Sequence, residues 1–178
     1  MTRLAFLDIE ASGFGPGSYP VEVGWTFADG TGEAWLICPP DDWPAAGWEM
    51  EAEAVHGVSR VRLEREGWSA AYVADRLVAQ LADARLYSDA AVIDGYWLSR
   101  LLEWSSLPVS LPLRPFEELL PPVKDAAVAM RAAIEAANRS FPRCHRALPD
   151  SQHLWAMWRH LQGVSALSSG VTERSRGP

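Results

Sequence analysis

Hydrophobic and polar positions along this chain follow two different rhythms. Leu4-Ala5-Phe6-Leu7-Asp8-Ile9-Glu10 is an apolar run broken only by acids at its far end, which reads as a buried strand. Ala11 to Ser18 is a loop by its Gly and Pro content. Val21 to Phe27 alternates, Asp29-Gly30 supplies a tight turn, and Glu33 to Ile37 answers it, so a hairpin is expected. After a Pro- and Trp-rich connection over 39–48 and a short helix-forming segment over 49–55, the rhythm becomes helical. Ser69 caps a predicted helix from Ala70 to about Ala82, with Tyr72, Val73, Leu77 and Leu81 inward. Leu86-Tyr87-Ser88 is a short buried strand. A helix then runs from Asp94 to Trp104 with Leu98, Leu101 and Leu102 on one stripe. Beyond a Pro-rich crossing, a third helix spans Asp125 to about Ala137 with Ala127, Met130, Ile134 and Ala137 inward. A last helix starts near Asp150 and carries Leu154, Met157, Trp158 and Leu161 on one face. Strands followed by this series of helices predict an α/β architecture with a mixed sheet. The reading is one domain over 1–162 and a flexible tail over 163–178, where periodicity is lost.

Composition narrows the class. With 178 residues, 48% of them hydrophobic and 22% charged, the chain suits one compact core. A formal charge of −7 argues against a broad basic surface for duplex DNA. Cys38 and Cys144 do not make a disulfide framework, and no charged-then-apolar leader precedes the first strand, so a cytoplasmic location is expected. No apolar stretch nears the ~20 residues needed to cross a bilayer, and no membrane association is expected.

The candidate chemistry lies at the ends of the apolar segments. Period-two alternation sends Asp8 and Glu10 to one strand face, about 7 Å apart at roughly 3.3 Å rise per residue. Asp94 and Asp150 each head the inward stripe of a helix, which aims them at the space above the sheet while keeping their tips near its edge. Carboxylates gathered at a core rim repel one another unless cations hold them. Oxygen-rich acidic clefts favour Mg²⁺ or Mn²⁺, and a pair of such ions stabilises both oxygens of a phosphodiester displacement. His145, just before the last helix, has a side chain whose ordinary pKa of ~6.5 suits taking a proton from water.

Asp8-Ile9-Glu10, Asp94 ahead of a helix, and His145-x-x-x-x-Asp150 together resemble the three motifs of the DEDDh family of 3′-5′ exonucleases. The family includes ribonuclease T, oligoribonuclease and the proofreading subunit of bacterial DNA polymerase. The resemblance runs from Leu4 to Leu161, with Pro20 to Gly24 and Ala54 to Ser59 matching secondary signatures. It implies a ribonuclease H-like fold, a five-stranded mixed sheet flanked by helices. It also implies that Asp8, Glu10, Asp94 and Asp150 hold two Mg²⁺ or Mn²⁺ ions and that His145 is the general base. The backbone at Ala11 and Ser12 would contact the terminal nucleotide, with Ser12 standing where the family commonly has Thr, and Phe14 would offer a stacking face. The implied substrates are 3′ ends of single-stranded RNA or DNA, RNA slightly favoured, and relatives that form homodimers bring in a homodimer here. One departure stands out: where many members have a His-Asn pair just before the second motif, here Ser88-Asp89-Ala90-Ala91-Val92-Ile93 precedes Asp94, and Asp89 either sits near the metals or caps the helix.

Each signal has a plainer reading. Asp-x-Glu and His-x-x-x-x-Asp arise by chance, and Asp94 or Asp150 alone is an ordinary helix N-terminal acid. Their joint order is what points to a nuclease. Arg143 and Arg146 are candidate phosphate contacts in a cluster with Arg139, Lys124 and Arg131, and equally suit a solvated helix end. Trp25, Trp35, Trp97, Trp155 and Trp158 read as core or groove wall, whereas Trp43 and Trp48 are the candidates for exposed aromatic contacts or a subunit interface. His153 and His160 read as packing or surface residues, His56 as a loop hydrogen-bonder, and Cys144 lacks a partner for nucleophilic chemistry. Two rival functions remain: a catalytically silent nucleic-acid-binding module on the same scaffold, and an endonuclease or phosphodiesterase of different substrate.

Overall fold

The computed structural model describes residues 3–122 and 125–173, with side chains up to residue 163. Six strands form one sheet in the order β4-β3-β2-β1-β5-β6. They are β1 (Arg3–Ala11), β2 (Pro20–Phe27), β3 (Gly32–Cys38), β4 (Trp68–Ser69), β5 (Ala84–Ser88) and β6 (Leu113–Pro115). Pairing is antiparallel for β1/β2 and β2/β3, and parallel for β1/β5, β5/β6 and β3/β4. The helices are α1 (Met50–His56), α2 (Arg60–Glu66), α3 (Ala70–Leu81), α4 (Ala91–Leu102), α5 (Ala126–Ser140) and α6 (Ala147–Glu173). The expected mixed α/β sheet is present, one strand larger than expected. Among the described residues no helix is long and apolar enough to cross a membrane.

Alternation along the two central strands divides the core. Ala5, Leu7 and Ile9 of β1, with Val21, Val23, Trp25 and Phe27 of β2, face a large apolar cluster that includes Val73, Leu77 and Leu81 of α3 and Leu98 and Leu101 of α4. Phe6 lies on the other face with Phe116, Ala133, Ala137, Leu154, Met157 and Leu161, which belongs to α5 and α6. By the same alternation Asp8 and Glu10 share the α6 side of β1, and Glu22, Gly24 and Thr26 share the α6 side of β2. The start of α6 docks on that second row. Arg146 reaches Glu22, the Thr26 and Ser151 hydroxyls hydrogen-bond at 2.8 Å, and a Cβ on Gly24 would stand 2.5 Å from the Ala147 carbonyl carbon. Gly24 is therefore glycine because the helix backbone passes against it.

Several elements differ from the sequence reading. The strands β4 and β6 have two and three residues, too short to show alternation. Helix α2 was not expected; Ser59 caps it by accepting from the Arg62 N–H at 3.2 Å. Helix α4 starts at Ala91 rather than Asp94, and α6 at Ala147 rather than Asp150. Pro149 sits in the first turn of α6, where its missing N–H costs nothing. That helix continues to Glu173, through residues assigned to the tail, while 174–178 lie outside the described residues. In α5 the buried positions are Ala133 and Ala137, whereas Ile134 is 38% exposed and Ala127 exposed. A helix so rich in alanine leaves its phase to tertiary contacts. Tyr72 is not inward but stacks on Trp68 with ring centres 4.6 Å apart. Trp43 is buried rather than exposed, stacked on Tyr19 at 5.0 Å, and Trp48 is half-buried.

Replacing Gly24 with Val should destabilise the protein by about 1–3 kcal/mol, the usual cost of overpacking. Because the displaced element carries Asp150, divalent-cation affinity should fall as well. Chemical denaturation and a Mn²⁺ titration measure the two effects, and unchanged values in both would show that this contact does not seat α6.

Candidate active site

The C-terminal end of β1 places Asp8 opposite Gly24 and Glu10 opposite Glu22 in the β1/β2 register. Both acids are buried, as are Asp94 and Asp150 in the first turns of α4 and α6. Asp94 accepts a short hydrogen bond from the Ser88 hydroxyl, which itself accepts the Ala90 N–H at 2.9 Å, so the end of β5 fixes the carboxylate. Asp150 accepts the N–H groups of Cys144 at 3.0 Å and His145 at 3.2 Å. His145 adopts φ 55°, a left-handed conformation that costs a non-glycine residue on the order of 1 kcal/mol or more, and those two bonds hold the turn in place. Its imidazole is exposed beside the acids: Glu10, His145 and Asp150 each offer a ligand atom within 4.8 Å of the other two.

Charge is concentrated here. Burial first, then the charges of Asp94, Glu10 and Asp150, hold the Asp8 carboxyl well above the usual carboxylate range, with Arg143 opposing. Burial, then Asp150, Glu22 and Asp94, push Glu10 up to about 7. Asp94 is also raised to about 7, chiefly by burial, with Asp89 adding and the Ser88 hydrogen bond and Arg143 opposing. Four buried acids, of which Asp8, Glu10 and Asp94 resist ionising, are a donor set suited to hard divalent cations, whose charge would offset the repulsion.

The nearby cations have separate roles. Arg146 is clamped to Glu22 by two hydrogen bonds of 2.8 Å, and Glu22 also accepts the Ala147 N–H at 3.2 Å. Arg146 is thus a strut between β2 and α6 rather than a free phosphate contact. Arg143 pairs with Asp89, and its Nη1 lies 4.0 Å from Asp150 Oδ2. Asp89 therefore does not cap α4, whose N-cap is Ala90; it pairs with Arg143 and stands near enough to Asp94 to add to its charge load. Arg131 and Arg139 are exposed on α5, and Lys124 lies outside the described residues.

Beside Glu10 and His145 a cleft of about 150 Å³ is lined by Ala11, Phe14, His56 and Trp97. Phe14 is 68% exposed on its rim. Ser12 is fully committed inside the protein: its hydroxyl donates to Gly47 O at 2.7 Å and accepts the Tyr19 N–H at 3.0 Å, and its own N–H and carbonyl are bonded to Tyr19 and Glu49. His56 is buried and accepts the Val58 N–H on Nδ1 at 3.0 Å, and its Nε2 has no hydrogen-bond partner of good geometry among the described residues; burial depresses its basicity. His153 is buried with Nδ1 2.7 Å from Phe141 O. Ser88, Glu22 and the partnerless Nε2 of His56 were not found from sequence. A buried Glu facing a helix start gives no local signal, although Glu22 stands on the polar row of an alternating strand.

No family model matches the chain, and no curated protein matches it in sequence. Solved structures do resemble it. The zinc-bound complex of Escherichia coli exonuclease I with single-stranded DNA superposes with a TM-score of 0.69 at 14% identity, covering 93% of this chain and 41% of that one. The same enzyme with a dA16 oligonucleotide gives 0.69 at 15% identity, with the same two coverages. Exonuclease I from Methylocaldum szegediense gives 0.64 at 15% identity, covering 92% and 41%. The likeness establishes the ribonuclease H-like fold, and this chain spans about two fifths of those chains.

The raised carboxyls fix a sign for stability. In the metal-free protein they bind protons that the unfolded chain releases above roughly pH 4.5, so their contribution is fully present below that value and is lost as pH rises through about 7. The metal-free melting temperature should fall across this window, and the increase produced by Mg²⁺ or Mn²⁺ should grow with pH. Glu10→Gln should stabilise the metal-free protein at pH 8 and shrink the cation-induced increase. Thermal unfolding with chelator and with cation tests this; a cation effect independent of pH would refute proton-coupled binding.

Proposed function

We propose that this chain is a divalent-metal-dependent 3′-5′ exonuclease that removes 5′-mononucleotides from single-stranded nucleic acid. The observation that supports the reading is a set of four buried acids, Asp8 feeling the charges of Asp94, Glu10 and Asp150, with His145 bringing a ligand atom within 4.8 Å of Glu10 and Asp150. These four carboxylates would hold two Mg²⁺ or Mn²⁺ ions, which when bound supply Lewis-acid stabilisation to the phosphate oxygens. His145 takes the proton from the attacking water. Attack at the terminal phosphorus breaks its bond to the O3′ of the preceding nucleotide, which leaves with a proton as the new 3′-hydroxyl. The low-dielectric surroundings of the acids strengthen every interaction with the developing charge.

The terminal nucleotide lies in the cleft between Ala11 and Trp97, its base on the exposed ring of Phe14, while the Ser12 hydroxyl supports the loop from behind. All five site groups belong to one chain, so the chemistry does not need a second copy. The exonuclease I complexes hold single-stranded DNA, which supports DNA over RNA as the proposed substrate here, against the slight preference for RNA drawn from the resemblance.

His145→Ala should lower turnover by ~10²- to 10⁴-fold while Mn²⁺ affinity stays near wild type; loss of affinity instead would make the imidazole a ligand. Asp8→Ala should abolish metal-dependent nucleotide release. A digestion panel of 5′-labelled single-stranded DNA, single-stranded RNA and a 3′-phosphorylated DNA checks polarity and class together. Shortening from the 3′ end that stalls at a 3′-phosphate is expected, whereas internal cuts in the blocked strand would indicate an endonuclease, and binding without hydrolysis a silent module.

A further inference from the structure

The turn that bears His145 is tied down on both sides by ion pairs. Arg146 reaches Glu22 on β2, and Arg143 reaches Asp89, the residue that follows β5. Between those two strands lies β1, which carries Asp8 and Glu10. The two ties are unequal. The Glu22 side chain is 5% exposed and accepts two hydrogen bonds from Arg146, whereas the Asp89 and Arg143 side chains are each 35% exposed. Arg143 also has a second anion within reach: its Nη1 lies 4.0 Å from Oδ2 of Asp150, the atom that accepts the His145 N–H. One guanidinium thus stands between an acid outside the carboxylate cluster and an acid inside it.

We propose that Asp89 is a positioning residue that holds Arg143 off Asp150 and so keeps that carboxylate open to a divalent cation. This assignment rests on the metal-dependent reading of the site and adds to it a residue outside the five groups already named. Asp89 is presented by a firm turn, because the Ser88 hydroxyl beside it accepts the Ala90 N–H and donates to Asp94. Asp150 is the more deeply placed anion, its side chain 3% exposed, and attraction between opposite charges strengthens as water is excluded. With Asp89 removed, Arg143 is therefore drawn inward. A charge-assisted contact of about 2.8 Å needs a shift of only about 1 Å, and a weakly hydrated guanidinium follows into a partly buried place more readily than an ammonium. Once there, it sits where the cation would bind. It also competes with the His145 N–H for Oδ2, loosening a turn already held at φ 55°. The charge of Arg143 reaches deeper acids as well, since it opposes the raised carboxyls of Asp8 and Asp94.

A double-mutant cycle of Asp89→Ala and Arg143→Ala tests the assignment with two readouts, Mn²⁺ affinity and thermal unfolding in chelator. Asp89→Ala should weaken Mn²⁺ binding by about tenfold or more. Arg143→Ala should tighten it by no more than about threefold in the wild-type background, and by about tenfold or more in the Asp89→Ala background. In chelator, Arg143→Ala should lower the melting temperature more when Asp89 is absent than when it is present. An ordinary surface ion pair gives the opposite order, because Arg143 would then have lost its partner already. That opposite order, or equal factors on Mn²⁺ affinity in both backgrounds, would overturn the assignment. Asp89→Asn repeats the cycle if Asp89→Ala does not fold. If the wild-type protein binds no Mn²⁺, the metal-dependent reading fails, and the melting comparison in chelator still decides where Arg143 rests.

Discussion

Electrostatic repulsion among Asp8, Glu10, Asp94 and Asp150 is the unfavourable interaction around which this molecule is arranged. At an effective dielectric of about 20, two unit charges 4 Å apart repel by roughly 4 kcal/mol, comparable to a large share of a domain's net stability. The fold tolerates the cluster in its metal-free form by keeping protons on it: Glu10 and Asp94 are raised to about 7. Stability and the proposed cation binding thus draw on the same groups, as is common where a site is shaped for a charged partner.

What holds the acids together is the seating of α6 on β2. Glu22, Gly24 and Thr26 form a row of one anion, one missing side chain and one hydroxyl, matched to Arg146, the Ala147 backbone and Ser151. Each contact is of a different kind, so a slide of the helix along the strand would lose all three together. The Glu22–Arg146 pair is bidentate and its carboxylate buried, and removing either partner would strand a charge beside Glu10.

Much of this was legible in the residues because the site uses elements with strong patterns. The apolar run ending in Asp8 and Glu10, the Asp29-Gly30 hairpin, the Ser69-capped helix and the stripe below Asp150 all survive as expected. Features set by distant partners were not legible. Trp43 looked exposed in its Pro-rich loop, yet it is buried against Tyr19 and meets Trp104 edge-on, contacts that no local rule anticipates. In α5, Ala137 and Met130 face the core as expected but Ala127 and Ile134 do not, because alanine carries too little hydrophobic contrast to choose a face. Arg146 looked like a phosphate contact because the sequence does not display the buried Glu22 opposite it.

Asp150 has two obligations that cannot both be met in full. Its oxygens accept the Cys144 and His145 N–H groups and also face the pocket that would take a cation. By thermodynamic reciprocity, whatever draws electron density from those oxygens toward an ion loosens the turn that bears the imidazole, and a tighter turn lowers the appetite for the ion. On the proposed reading, ion occupancy and the freedom of His145 would thereby be two readings of a single equilibrium.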